Sequence, residues 1–445
     1  MEIYGKKFTV IGIARSGIAA AKKLTELGGE VFLSDNKPQE KIENAEILKK
    51  NFACEFGGHS QKVLQADKII VSPGVPLSLP ILKQAQASGI ELLSEIELGF
   101  RLKSPDSKII CVTGSNGKST TVSLIHHILL TCGYHSILGG NIGTPFTAFP
   151  IEKPGIDFIV LELSSFQLEL VKYFKADAAI ILNITPDHLD RYKDFEHYAR
   201  TKFNIFQNME KNDLAVMNLD DETIRRLSEQ IKAGRKWFSL EHESDAWRNG
   251  NNLLVGKDAY KTAEISIAGP HNMMNCLAAL LATARYTAGR QAQVCQALKT
   301  FASLPHRLEY VTTSKGIRFI NDSKATNTDA VKYALLSFTE GVHIILGGSD
   351  KGEDYSILLP YLQRENVHTY LIGATRTRMQ AAFAGALEYE MCQDMETAMK
   401  LAYSRAAAGE VILLSPACAS YDAFRNYLHR GDTFRKIAED IAHEI

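Results

Sequence analysis

The run Ile110-Cys111-Val112-Thr113-Gly114-Ser115-Asn116-Gly117-Lys118-Ser119-Thr120 carries the residue types that hold a triphosphate. Gly114 and Gly117 let the backbone turn so that several N–H groups point into one concavity. A helix starting near Ser119 brings its positive end to the same place. Lys118 has the reach to meet outer phosphates, and the Ser119 hydroxyl suits Mg²⁺. The spacing, Gly-x-x-Gly-Lys-Ser, is shorter than the Walker pattern unless Thr113 opens the loop. The competing reading is an ordinary strand–turn–helix connection. The apolar strand before the loop and the helix after it favour phosphate binding.

Other chemistry gathers at strand ends. Glu162 follows the apolar run 158–161, where a carboxylate beside a phosphate loop can ligate Mg²⁺; the alternative is a solvated strand-end glutamate. His188 lies in the polar loop after a strand at 178–182, which suits a ligand or substrate contact. Lys202, on a helix expected over 198–203, is from its residue type alone merely a cation. Asn141, in the glycine turn 139–143, is either a turn residue or a donor to a carbonyl or phosphate. His126 and His127 read as helix surface or packing. Further along, polar clusters at 321–327, 347–352 and 415–420 each follow a strand, with Tyr421, Phe424 and Tyr427 expected on the next helix. Three such loops on one sheet edge would line a crevice whose lysine, hydroxyls and N–H groups suit a small dicarboxylate.

The elements that must position these groups are α/β throughout. Strands at 7–11 and 30–33 flank a turn, Gly12-Ile13-Ala14-Arg15-Ser16-Gly17, and a helix over 18–27, with Asp35 ending the second strand. This is a βαβ unit with a relaxed glycine fingerprint. A dinucleotide and a uridine diphosphate sugar fit it equally, since it reports only a ribose and a diphosphate at a helix N-terminus. A third strand, 68–71, ends in Ser72-Pro73-Gly74. The phosphate loop opens a second region with strands at 108–112, 157–161 and 178–182, so a parallel sheet is expected. Residues 210–270 read as mixed strand and loop, followed by a helix over 273–286. A third α/β region starts near 304, with strands near 317–320, 342–346, 369–372 and 411–414; the junctions are placed near 96–106 and 300–306.

Composition bounds the rest. With 445 residues the chain suggests two to four domains. Its 50 basic and 51 acidic residues leave a net charge of −1, so no global field favours nucleic acid or an anionic membrane. No signal-peptide pattern opens the chain and no apolar run reaches a membrane span. Seven scattered cysteines fit free thiols in a reducing cytoplasm. These features favour a cytoplasmic monomer.

Taken in order, Thr-Gly-Ser-Asn-Gly-Lys-Ser-Thr at 113–120, Leu-Glu-Leu-Ser-Ser-Phe-Gln at 161–167, Asp-His-Leu-Asp-Arg-Tyr at 187–192 and Gly-Pro-His-Asn at 269–272 resemble the Mur ligases. Pro-His-Arg at 305–307, Asn-Asp-Ser-Lys-Ala-Thr-Asn at 321–327 and Ser-Pro-Ala-Cys-Ala-Ser at 415–420 narrow the resemblance, over essentially the full length, to the member that adds D-glutamate. The resemblance implies a Rossmann-like UDP-substrate domain (1–98), a central P-loop ATP-binding α/β domain (99–302) and a C-terminal Rossmann-like D-glutamate domain (303–445). The implied reaction joins D-glutamate to UDP-N-acetylmuramoyl-L-alanine through an acyl phosphate, with ATP and two Mg²⁺ and with a CO₂-derived carbamate on Lys202.

By the same resemblance Lys118, Glu162, His188 and Lys202 are catalytic, and Ser119, Glu162, His188 and Lys202 hold metal. Gly114 to Thr120, including Ser115 and Asn116, bind ATP with Asn272, Arg307 and Asp322. Ser16, Asp35, Asn36, Gly74, Asn141 and His188 meet the UDP substrate; Lys324, Thr326, Lys351, Ser420 and Tyr427 meet D-glutamate. Tyr421 and Tyr427 stand where leucine and phenylalanine are familiar, Asn36 replaces a threonine, and the Arg15-Ser16 turn is atypical. Rival readings are a ligase for another substrate, such as folate polyglutamate synthase, a nucleotide-gated binding module and a nicotinamide dehydrogenase.

Overall fold

The computed structural model describes residues 1–187, 191–267, 269–302 and 304–443. They divide into two compact units, Met1–Glu264 with Met274–Lys299, and Ile265–Met273 with Thr300–Ile445. Among the described residues no helix is long and apolar enough to cross a membrane.

The first unit carries two sheets. β1 (Lys7–Ile11), β2 (Glu30–Asp35), β3 (Ala53–Phe56), β4 (Lys68–Val71) and β5 (Glu91–Leu93) are all parallel, in the order β3-β2-β1-β4-β5. Phe8, Val10 and Ile11 are buried in succession, as a strand covered on both faces requires. The helix Arg15–Glu26 buries Ala19, Ala20, Ala21 and Leu24 on one side. Strand order reverses between β1 and β4, so the loops after them open a crevice. Ser72 ties that crevice together, its hydroxyl donating to the Gly12 carbonyl at 2.6 Å.

The second sheet comprises β6 (Lys108–Thr113), β7 (Ser136–Gly140), β8 (Phe158–Glu162), β9 (Ala178–Ile181), β10 (Leu214–Asn218), β11 (Gly234–Ser239), β12 (Ala246–Asn249), β13 (Asn252–Val255) and β14 (Asp258–Lys261). Its order is β14-β13-β12-β11-β10-β9-β6-β8-β7; β6 to β12 run parallel and β12-β13-β14 form an antiparallel meander. Ile109, Cys111, Ile159, Leu161, Ala179 and Ile181 belong to one buried cluster. Burying a large aliphatic side chain of this kind contributes about 1.5–3 kcal/mol. The mixed character expected for 210–270 is observed, with one helix added, Glu222–Leu227. Its N-terminus is capped by the Asp221 carboxylate, which accepts from Ile224 N at 2.9 Å. Six residues are too few for a helical period to show.

The second unit holds β15 (Glu309–Ser314), β16 (Ile317–Asn321), β17 (Val342–Gly347), β18 (Val367–Ile372), β19 (Tyr389–Met391) and β20 (Val411–Leu414), in the order β15-β16-β20-β17-β18-β19. β15 is antiparallel to β16 and the other pairs are parallel. Because β20 lies between β16 and β17, the loops after all three leave the same edge. One expectation is corrected: Tyr421 and Phe424 precede the last helix, which runs from Tyr427 to His443. Asn426 starts that helix, its side-chain oxygen accepting from His429 N at 3.0 Å and its carbonyl from Arg430 N at 3.1 Å.

Candidate active site

The phosphate loop joins β6 to the helix Lys118–Thr131. Gly114 (φ 149°) and Gly117 (φ 84°) both need backbone conformations that L side chains rarely adopt, and a side chain on Gly117 would also collide with Asn275. Neighbouring strand ends fix the loop. Ser115 N donates to Asn183 O at 2.9 Å. The Asn183 side chain accepts from Asn116 N at 2.8 Å and donates to Asn116 O at 3.2 Å. Ser115 Oγ donates to Thr185 O at 2.9 Å, accepts from Thr185 N at 2.9 Å and lies 3.2 Å from the Tyr198 hydroxyl. Ser119 and Thr120 are buried on the first turn of the helix.

Two lysines converge on one oxygen. Lys118 Nζ donates to Gly114 O at 2.9 Å and to Ser115 O at 2.8 Å, and Lys202 Nζ donates to Gly114 O at 2.9 Å. Lys202 comes from the helix Phe195–Phe203 and is 2% exposed. Burial drives its pKa well below the usual lysine value, and the Lys118 charge drives it the same way. Asp187 and Glu162 oppose this without overcoming it. The Tyr198 ring, 4.6 Å from Lys202 Nζ, would favour a charge there, but it too is outweighed. A buried lysine held toward the neutral amine is a nucleophile, and that chemistry could not be read from its residue type.

Glu162 ends β8 and is 2% exposed; its Oε1 accepts from Asn141 Nδ2 at 2.7 Å. Asn141 N also donates to Glu162 O at 2.8 Å. The structure therefore brings Asn141 onto the carboxylate at the strand end. His188 lies outside the described residues. On the first sheet, Ser16 sits in the first turn of its helix, Asn36 and Gly74 are exposed, and Asp35 is buried. Asp35 braces the rim it belongs to, accepting from Ile13 N at 2.7 Å and Lys37 N at 2.9 Å.

In the second unit, Asp322 follows β16, where it accepts from Ser415 Oγ at 2.9 Å and Leu308 N at 3.2 Å. Burial pushes its pKa up to about 7 against those bonds and the Arg307 and Arg430 charges. His271, beside Asn272 in the first turn of the helix Pro270–Thr287, is pushed down to about 4 by burial and by Arg307. Lys324 Nζ lies 5.2 Å from the centre of the Tyr427 ring, and Tyr427 O accepts from Ser323 Oγ at 2.8 Å. Ser349 N donates to Ala419 O at 2.8 Å, joining the loop of exposed Lys351 to that of buried Ser420. Thr326 is half-buried on the β16 loop.

Several site-building residues were not singled out from sequence. Asn183 and Tyr198 hold the phosphate loop, and Asn275 meets it through Thr121 Oγ1, which donates to its side-chain oxygen at 3.2 Å. Arg430, buried, donates to Ser323 Oγ and O and to the Cys418 and Ala419 carbonyls at 2.7–3.2 Å. Burial pushes it down to about 10. Asn275 falls three positions after Asn272 on one helix face, a readable signal; Arg430 offered none.

The Mur ligase MurD-like N-terminal domain matches residues 6–94, the Mur ligase middle domain 112–283 and the Mur ligase glutamate ligase domain 306–418. UDP-N-acetylmuramoylalanine–D-glutamate ligase of Koribacter versatilis is 39% identical, covering 100% of this chain and 99% of that protein. Its counterpart in Cytophaga hutchinsonii is 40% identical over 98% and 99%. The solved MurF ligase from Thermotoga maritima in complex with ADP shares the fold, with a TM-score of 0.64 at 17% identity over 93% of this chain and 96% of that one. The chain belongs to the Mur ligases, in the branch of UDP-N-acetylmuramoylalanine–D-glutamate ligases.

Proposed function

We infer that this chain is an ATP-dependent ligase that joins D-glutamate to UDP-N-acetylmuramoyl-L-alanine in peptidoglycan precursor synthesis. The observation that carries the reading is a glycine phosphate loop sharing its Gly114 carbonyl between Lys118 and buried Lys202, in a chain matching such ligases along its length. Three domains divide the work: 1–98 takes the UDP substrate, 99–302 takes ATP and 303–445 takes D-glutamate. The separate sheets support that division.

The alanine carboxylate attacks the γ-phosphorus of ATP, ADP leaves, and an acyl phosphate results. The D-glutamate α-amine then attacks the acyl carbon, phosphate leaves, the amine gives up a proton and the amide forms. The first step is needed because a carboxylate is a poor electrophile. Lys118 and the loop N–H groups stabilise charge on the transferring phosphoryl group. Asn272, Arg307 and Asp322 hold the nucleotide. Ser16, Asp35, Asn36, Gly74, Asn141 and His188 hold the UDP substrate, and Lys324, Thr326, Lys351, Ser420 and Tyr427 hold the amino acid.

The donor set at the loop fits Mg²⁺, since Ser119 and Glu162 offer hard oxygen ligands. His188 and Lys202 complete two sites, and the metal when bound would neutralise phosphate charge. An ammonium cannot ligate a cation, but the depressed pKa of Lys202 fits capture of CO₂, which turns the amine into a carbamate oxygen donor. We place the enzyme in the cytoplasm as a monomer acting on small molecules rather than nucleic acid or membrane, a reading supported by its balanced charge and seven free thiols.

Phosphate release with ATP, Mg²⁺ and UDP-N-acetylmuramoyl-L-alanine is the direct test. Release should require D-glutamate. Release with a different amino acid instead would reassign the substrate, and none with any would refute the reading.

A further inference from the structure

Ser34, Glu55 and His59 gather at the carboxyl ends of β2 and β3, and the mechanism above uses none of them. Ser34 is fully buried, and its Oγ lies 2.7 Å from Glu55 Oε1 and 2.7 Å from His59 Nδ1. Glu55 also accepts from Ser60 N at 3.0 Å and Ser60 Oγ at 2.6 Å. Burial pushes the Glu55 carboxyl up, yet the hydrogen bonds from Ser60 and Ser34 hold it below the usual carboxylate range.

A carboxylate only accepts, so the single Ser34 proton goes to Glu55. Ser34 Oγ must then accept from His59. That fixes the neutral imidazole as the Nδ1–H tautomer, with a lone pair on Nε2. The order is not that of a nucleophilic triad, in which the serine donates to the histidine and the carboxylate touches the histidine.

Nδ1 faces the buried serine, the ring as a whole is half-exposed, and among the described residues nothing partners Nε2. The loop carrying it is laced to the rim after β2. Gly58 N donates to Asp35 O at 3.2 Å and Gly57 N to Lys37 O at 2.9 Å. His59 is thus fixed in orientation, one residue from a direct contact with Asp35.

We propose that His59 is a specificity-determining residue for the nucleotide end of the substrate, its Nε2 accepting from the imide N–H of a uracil ring. The inference rests on reading Asp35 and Asn36 as part of the UDP-substrate rim. Uracil offers an N–H at ring position three where cytosine offers a lone pair. An acceptor there pairs with the first and repels the second.

His59→Asn and His59→Gln separate this from a structural role. Asparagine retains a nitrogen donor near the Nδ1 position, keeping the Ser34 bond, and loses Nε2. Glutamine places an amide oxygen near the Nε2 position. His59→Asn should raise KM for UDP-N-acetylmuramoyl-L-alanine about five- to tenfold, the loss of one hydrogen bond, with kcat and the KM for ATP unchanged. His59→Gln should recover part of that loss. The wild-type enzyme should bind UDP at least about fivefold more tightly than CDP by calorimetry, a measurement that needs no variant to fold. Equal affinity for UDP and CDP, or an unchanged KM in His59→Asn, would overturn the proposal. A wild-type enzyme with no D-glutamate-dependent turnover would instead remove the reading beneath it.

Discussion

Lys202 is buried, and its pKa is driven well below the usual lysine value. Nothing in the string Tyr198-Ala199-Arg200-Thr201-Lys202 separates it from a surface lysine; only its burial against Tyr198 and its meeting with Lys118 over Gly114 O do so. The perturbation is therefore a tertiary property. Lys202→Ala should reduce D-glutamate-dependent phosphate release by at least about a hundredfold, as loss of a group that organises transition-state charge does. Short-chain carboxylates added to the variant should restore part of the rate, supplying the oxygens that the modified lysine would provide. No restoration across a concentration series would count against the carbamate. Asn183 and Arg430 escaped notice for a related reason. Their partners lie 67 and 107 residues away in sequence, as Asn183 with Asn116 and Arg430 with Ser323.

Among the elements, buried parallel strands were the most legible. The runs at 7–11, 68–71 and 411–414 appear with the expected bounds, because continuous apolar runs in a doubly covered sheet leave few alternatives. The phosphate loop was legible too, since Gly114 and Gly117 occupy conformations that mark glycine wherever they occur. Helix starts were harder. Tyr421 and Phe424 look like the opening of an amphipathic turn, but Asn426 supplies the cap and sets the first helical residue at Tyr427. Asn426→Ala should cost about 1 kcal/mol and lower the midpoint of the transition that includes this helix by about 2–4 °C. Calorimetry checks this, and an unchanged midpoint would show that the side chain is not what starts the helix.

Across the molecule, buried carboxyls tie stability to pH. Glu95 opens the helix Glu95–Leu102 in the first unit and accepts from Thr147 N at 2.6 Å and Thr147 Oγ1 at 2.7 Å. Burial pushes it up to about 7 against those bonds. A carboxyl whose pKa is higher folded than unfolded favours the folded chain most below the unfolded value. That contribution declines as pH rises from the ordinary 4.5 to about 7, then stays level. The decline amounts to about 3 kcal/mol. Glu95→Gln, neutral throughout, should gain thermal stability relative to wild type on going from pH 5 to pH 8. A difference in melting temperature that is the same at both would sink the assignment. Glu97, two residues on, accepts from the amides of Lys172, Tyr173 and Phe174 at 2.9–3.1 Å and from Arg101 at 2.7 Å.

Gly114 O is a single acceptor serving two lysine nitrogens, and that economy couples two events. An anion that draws Lys118 outward removes a positive neighbour from Lys202 and raises its basicity, so filling the loop and titrating the deeper amine become one linked equilibrium. Linkage is reciprocal: whatever neutralises that amine must alter nucleotide affinity by the same factor.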